Sequence, residues 1–355
     1  MNSEERELVY EFDDFIPNIG KAFEICNGIK WIRMDLPFAL NHINLWLIND
    51  NIINSKGKSQ KGWTIVDCGI FDDKTQSAWK NIFSNELEGL PVHRVLATHC
   101  HPDHIGLAEW LCKTWNVKFF MTAGEYSYGR ILSAGLEGAN DNSMIPHFKK
   151  NGVTDDSIIS KLLNRKNHFP KLVPKMPISF IRLEEEVEIK IGDNHWKIII
   201  GKGHSPEHAA LYCKNREILI SGDMILPRIS TNTSVFPIEP EADAVGNFLA
   251  SIKKFLELPE QTLVLPSHGK PFRGLHKRVN QLVKHHSERL KEVKIACKNP
   301  KSAAEIVPIM FRRELDIHQL GFAMGEALAH LNRLWHEGDL KKIEDNDGII
   351  RFVSV

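Results

Sequence analysis

Between residues 45 and 266 the chain returns six times to a short β-branched run, and five of the six end in a histidine or an aspartate. The runs are LWLI (45–48), WTIV (63–66), RVLA (94–97), WKIII (196–200), EILI (217–220) and TLVL (262–265). Each has the length of a buried strand and is bounded by polar residues, Gly or Pro. Between two of them Ile105, Ala108, Leu111, Cys112 and Trp115 recur at helical spacing. Strands mixed with helices require a layered α/β or α+β core, because each apolar face must be covered by another element. The polar ends fall where such sheets collect ligands.

The densest of these ends is RVLATHCHPDHIG, residues 94–106. In an extended chain residues i and i+2 face the same way, so His99 and His101 can hold one ion. Pro102 then turns the chain into a helix, which swings Asp103 and His104 towards a second position. Cys100 falls on the opposite face, as a packed residue. One histidine on an apolar face is usually a satisfied core residue, but three histidines and an aspartate within six positions are not explained that way. Asp67 in WTIVDCG, His204 in KIIIGKGHSPEH, Asp223 in EILISGD and His268 in LVLPSHG repeat the pattern. Apart from Asp67, the set totals five histidines and two carboxylates with no cysteine, which suits divalent cations of borderline softness.

Composition narrows the function classes. Forty-five Lys+Arg balance forty-five Asp+Glu, which disfavours a chain that coats nucleic acid or an anionic membrane. No apolar run approaches the roughly 20 residues of a membrane helix. The stretch MNSEERELVYEFDD has neither the basic nor the apolar segment of a signal peptide. The six cysteines form no CxxC pair, so a reduced cytoplasmic protein without a membrane partner is expected.

Residues 1–275 are expected to form the catalytic unit. A stretch at about 122–180 is too long for a plain connection and reads as an insertion with two helical patterns, near 123–136 and 154–165. Within it Tyr126, Tyr128, Arg130 and His147 are candidate substrate contacts, and Met144 and Phe148, with Phe236 beyond it, are candidate apolar walls. Residues 276–355 read as three helices followed by a hairpin about Asp347-Gly348, the order of a winged-helix-like unit. Their fourteen basic residues barely exceed eleven acidic ones, and the helix around Leu320–Trp335 carries only Arg333 against Glu326 and Glu337. A packing or dimerisation module is therefore expected ahead of a nucleic-acid reader. A stripe of Lys277, Arg278, Lys284, Lys291 and Lys294 keeps the second reading open.

The pattern HxHxDH, followed by His, Asp and His in these contexts, resembles the metallo-β-lactamase superfamily over about residues 40–275. The resemblance implies a four-layer αββα sandwich with metals at one edge. By position, His99, His101 and His204 resemble the ligands of a first metal, and Asp103, His104 and His268 those of a second. Asp223 resembles the carboxylate that bridges both. Asp67 resembles the family's buried aspartate, which orients a ligand through its second ring N–H, and His208 resembles a further positioning residue. The set is closest to thioesterases of the glyoxalase-II type, lactonases, and proteins with a C-terminal winged helix that include single-strand ribonucleases. It implies two divalent ions, zinc by donor preference with iron or manganese open, and a shared hydroxide that attacks the substrate while Asp103 orients it and accepts its proton. A small thioester, lactone or ester is the leading substrate class. A phosphodiesterase or endoribonuclease acting on single-stranded RNA is the alternative, and the full ligand set argues against a non-catalytic binding protein.

Overall fold

Alternation along the strands decides the layering. The computed structural model describes residues 5–12, 15–53, 56–163 and 168–355. Strands β1 (Ala22–Cys26), β2 (Ile29–Asp35), β3 (His42–Ile53) and β4 (Ser59–Val66) form an antiparallel run. Helix α1 (Asp73–Asn85) leads to β5 (Val92–Leu96), which lies parallel to β4. Helices α2 (Pro102–Ile105) and α3 (Ala108–Trp115) then lead to β6 (Lys118–Met121). The insertion contributes α4 (Ala123–Ser133), α5 (Asp141–Lys150), α6 (Asp156–Leu163) and α7 (His168–Leu172) before β7 (Ile181–Arg182) closes a seven-stranded sheet. Strands β8 (Glu188–Ile191), β9 (Asn194–Gly201), β10 (His208–Cys213), β11 (Ile218–Gly222) and β12 (Leu263–Pro266) form the second sheet, in the order β12-β11-β10-β9-β8. Helix α8 (Ala244–Lys253) connects β11 to β12.

On β3, Trp46 and Ile48 face a core shared with Trp196, Ile198 and Leu211 of the second sheet, while Leu45 and Leu47 face Trp79 and Ile82 of α1 and Leu111 of α3. On β9, Ile198 and Ile200 join the core between the sheets, and Ile199 packs outward with Phe248 of α8. Period-two side chains that are apolar on both faces require cover on both faces, which yields helices, sheet, sheet, helices. The expected four-layer arrangement is present.

Helix α9 (Leu275–Ala296) continues the outer cover through Leu275, Val279 and Leu282. It is followed by α10 (Ala303–Met310), α11 (Ile317–His336) and the antiparallel pair β13 (Leu340–Glu344) and β14 (Ile350–Ser354). Ser302 caps α10 with a full capping box to Glu305. No helix among the described residues is long and apolar enough to cross a membrane.

Three local expectations are corrected. The helical spacing from Ile105 to Trp115 is split into α2 and α3, because the Leu107 N–H turns aside to Gly69 O at 3.2 Å and a Cβ on Gly106 would meet the Phe71 nitrogen at 2.5 Å. Among the described residues the insertion holds four helices where the sequence spacing shows two patterns, with Pro146 inside α5 and Pro170 inside α7. The last positions of the second pattern, 164–165, lie outside the described residues. Phe148 is no cleft wall. It is buried, and Phe148 and Met144 pack against Leu328, Leu331 and Phe352 of the C-terminal elements.

Candidate metal centre

The parallel pairs β4–β5 and β11–β12 each send two neighbouring strands out at the same edge of their sheet. The residues just beyond those ends, with His204 beyond β9, converge into two adjoining groups. His99, His101, His204 and Asp223 form one, and Asp103, His104 and His268 the other. Within each group the donor atoms lie within 4.8 Å of one another.

Asp223 divides its oxygens between the groups. Its Oδ2 lies 3.4 Å from His204 Nε2 and 4.0 Å from His99 Nε2. Its Oδ1 lies 3.6 Å from His104 Nε2 and 3.5 Å from His268 Nε2. Asp103 Oδ2 faces His268 Nε2 at 3.4 Å and His104 Nε2 at 3.7 Å.

The second ring nitrogen of four imidazoles is tied back to the protein, which leaves Nε2 for the centre. His104 Nδ1 donates to Asp67 Oδ2 at 2.9 Å, His204 Nδ1 to Asn232 O at 2.7 Å, and His268 Nδ1 to His42 O at 2.7 Å. Thr98 Oγ1 donates to the Asp67 carboxylate and faces His99 Nδ1 at 3.1 Å. Asp67 also takes the Thr98 N–H at 2.8 Å and sits in the left-handed region at φ 65°. Its backbone is therefore strained where its carboxylate works hardest.

These tie-backs supply the test of fit. With Nδ1 protonated, His99 Nε2 and His204 Nε2 present lone pairs to each other at 3.2 Å. Lone pairs so placed repel unless a cation lies among them. In the other group His104 Nε2 is buried without a hydrogen-bond partner, as is the Asp223 Oδ1 that faces it. The donor set fits divalent cations.

Electrostatics separates the groups. Burial drives His99 well below the usual imidazole range, assisted by His104 and His101, and it takes His101 down to about 3. Burial also opposes charge on His104 and His268, but carboxylates outweigh it there. Asp67, Asp103 and Asp223 raise His104 to about 9, and Asp223 and Asp103 raise His268 to about 10. Burial pushes Asp223 upward, yet His268 and His104 hold its carboxyl well below the usual range.

His208 lies behind the centre. Its Nε2 accepts the Asp223 N–H at 3.0 Å, and a Cβ on Gly222 would meet that nitrogen at 2.2 Å. The insertion residues expected to contact substrate are engaged elsewhere. The Tyr126 ring stacks on Phe180 and its hydroxyl donates to Pro177 O, and Arg130 lies over the Tyr126 ring. Tyr128 is mostly buried, which raises its hydroxyl pKa. His147 lines a 390 Å³ cavity with Leu328, Asn332 and Phe352, among the C-terminal elements. None of the four belongs to either donor group.

Sequence reasoning missed His42, Asn44, Glu125 and Asn232. His42 accepts the Gly269 N–H on Nε2 at 2.8 Å, and Asn44 donates to the Pro266 and Gly269 carbonyls at 2.9 Å, so β3 grips both sides of His268. The only signal for them was their place at the start of a strand. Asn232 holds His204 through its backbone, which any residue type supplies.

Residues 52–268 match the family described as "Metallo-beta-lactamase superfamily", and residues 290–355 match "Metallo-beta-lactamase-like, C-terminal domain". "Probable metallo-hydrolase YqgX" of Bacillus subtilis (strain 168) is 27% identical over 243 residues, covering 68% of this chain and 90% of that protein. A solved beta-lactamase domain protein from Burkholderia ambifaria is 50% identical, with TM-score 0.94 and 100% of both chains covered. A metallo-beta-lactamase family protein from Thermus thermophilus shares the fold at 22% identity and TM-score 0.76, over 93% of this chain and 100% of that one.

Proposed function

We propose that this chain, which belongs to the metallo-β-lactamase superfamily and is a metallo-hydrolase, holds two divalent cations and cleaves a small thioester, lactone or ester. The observation that carries the reading is the division of Asp223, with Oδ2 towards His99 and His204 and Oδ1 towards His104 and His268. Five imidazoles and two carboxylates without a thiolate favour zinc, and elemental analysis distinguishes it from iron or manganese. When bound, such a pair of cations activates a water and polarises the substrate's carbonyl oxygen. The chain's own residues do the rest. Asp223 keeps the two groups in register, and the tied-back rings fix the donor directions. Asp103 is half-buried, so its carboxylate can take a proton from the attacking water and pass it to solvent.

Charge placement supports an acyl bond over a phosphodiester. A chain of phosphates needs a row of available cations, yet several of the C-terminal cations are occupied. Arg333 pairs with Asp243 and Glu337, Arg351 with Asp345 and Glu305, Lys342 with Glu241, and Lys294 with Asp339. The basic stripe of α9 is interrupted, because Arg278 is buried and donates to the Leu226 and Ile229 carbonyls. The C-terminal unit is accordingly proposed as a packing module. Six unbridged cysteines support a reducing, cytoplasmic setting.

The test sets small thioesters, lactones and p-nitrophenyl esters beside single-stranded RNA and bis-p-nitrophenyl phosphate, with chelator-treated protein as control. Acyl turnover that returns with added metal is the expected result. Turnover confined to the phosphodiesters replaces this reading with a nuclease.

A further inference from the structure

The insertion, a source of substrate contacts on sequence grounds, instead sends a carboxylate from its first helix beneath the metal centre. Glu125 of α4 is fully buried. Its Oε2 accepts the Cys100 N–H at 2.9 Å, and its Oε1 accepts the Glu207 N–H at 2.7 Å. Cys100 stands between His99 and His101, and Glu207 lies three residues beyond His204. The two loops belong to different sheets, one leaving β5 and the other joining β9 to β10. The contact is reciprocal. Glu207 Oε2 accepts the Gly124 N–H at the start of α4 at 2.7 Å, and Thr122 Oγ1 donates to Glu207 O at 2.8 Å. The helix also lies tight against the first loop, since a Cβ on Gly129 would stand 3.3 Å from Cys100 Cβ.

From this geometry we infer that Glu125 is a positioning residue that sets the metal affinity of the group formed by His99, His101, His204 and Asp223. One carboxylate fastens both loops that supply the three imidazoles, and each of its oxygens holds one loop. The second group has its own support in Asp67 and His42, which Glu125 does not touch. The inference rests on the metal-centre reading above.

Glu125→Gln probes it with almost no change in shape. The amide has one acceptor oxygen and one NH2, so whichever way it turns, one buried N–H meets another donor. Competition titration of the full-length protein with Zn2+ and a chromophoric chelator should show two equivalents in the wild type. In Glu125→Gln one equivalent should weaken by about 10–100-fold and the other by less than about twofold. Co2+ substitution should alter the ligand-field bands of one ion only, and thermal unfolding should verify that the chelator-treated variant is folded. If Glu125→Gln does not fold, Glu207→Ala decides, because it removes only the acceptor for Gly124 and should weaken the same equivalent several-fold. Wild-type affinity for both equivalents in the folded variants overturns the inference alone. A wild-type protein that takes up no metal overturns the metal-centre reading and this inference with it.

Discussion

Asp103, His104 and His268 are braced from within the first sheet, whereas the loops of His101 and His204 are braced from segments laid over it, and His99 takes support from both. Asp67 at the end of β4 holds His104, and His42 at the start of β3 holds His268. Across the centre the supports are Glu125 from the insertion and Asn232 from the loop after Asp223, itself in contact with α11 through Asn232 Nδ2 to Glu326 at 3.3 Å and Val235 N to Gly325 O at 3.1 Å. The charge follows the bracing. Three carboxylates raise His104, and Asp223 and Asp103 raise His268, while burial leaves His99 and His101 with lowered pKa values. One half is thus an ion-pair cluster anchored in the core. The other is assembled by loops, and its His99 and His101 rings are neutral.

The largest effect should come from the residue the halves share. Asp223→Ala should lower metal content from two equivalents to one or none and cut turnover by roughly a thousandfold or more. Full content and rate would break the idea of a common bridge. Next, Asp67→Ala should weaken the equivalent held by His104 by about 10–100-fold, with a smaller loss at the other ion through Thr98 and His99. The ion it weakens most should be the one that Glu125→Gln leaves intact. If both variants weaken the same ion most, the division into differently braced halves is wrong.

Protons should report the same asymmetry. In chelator-stripped protein His104 and His268, raised to about 9 and about 10, are charged at neutral pH, whereas His99 and His101 are not. Filling their half must release about two protons. Calorimetry in buffers of different ionisation enthalpy should detect the release, and that half's apparent affinity should rise with pH. Because both pKa values are raised in the fold, the ion pairs stabilise the stripped protein fully below the unfolded value of about 6.5, and the stabilisation is lost as pH rises through about 9–10. The smallest effect is expected from Asn232→Ala. The carbonyl that holds His204 remains, but its links to Ser234 at 2.6 Å and to Glu326 are lost. A two- to fivefold weakening, roughly, of the loop-braced equivalent follows from a lost outer hydrogen bond. No change would show that α11 contributes nothing to the centre.

Much of this was legible because strands and ligands use local rules. Short β-branched runs located the strands whose ends carry the donor groups, and Asp67, His204, Asp223 and His268 stood out as polar residues at those ends. Glu125 was not legible. It sits in an amphipathic-looking helix as an ordinary first-turn acid, and only the approach of two distant loops turns it inward. His147 shows the reverse. As a polar residue in an insertion it suggested a substrate contact, but the apolar partners of α5 draw it towards the C-terminal helices.

The sequence by itself determined the donor set, the strand ends that carry it and the layered core, since residue chemistry and side-chain period are written in the order of residues. Tertiary structure alone decided which partner holds each ring and which segments brace each half. The acceptors are the His42 and Asn232 backbone carbonyls, and Glu125 receives backbone N–H groups from Cys100 and Glu207. Every residue carries a carbonyl, and every residue but proline an N–H. Which of them meets a buried polar atom is a property of the packed chain and of no single residue's identity.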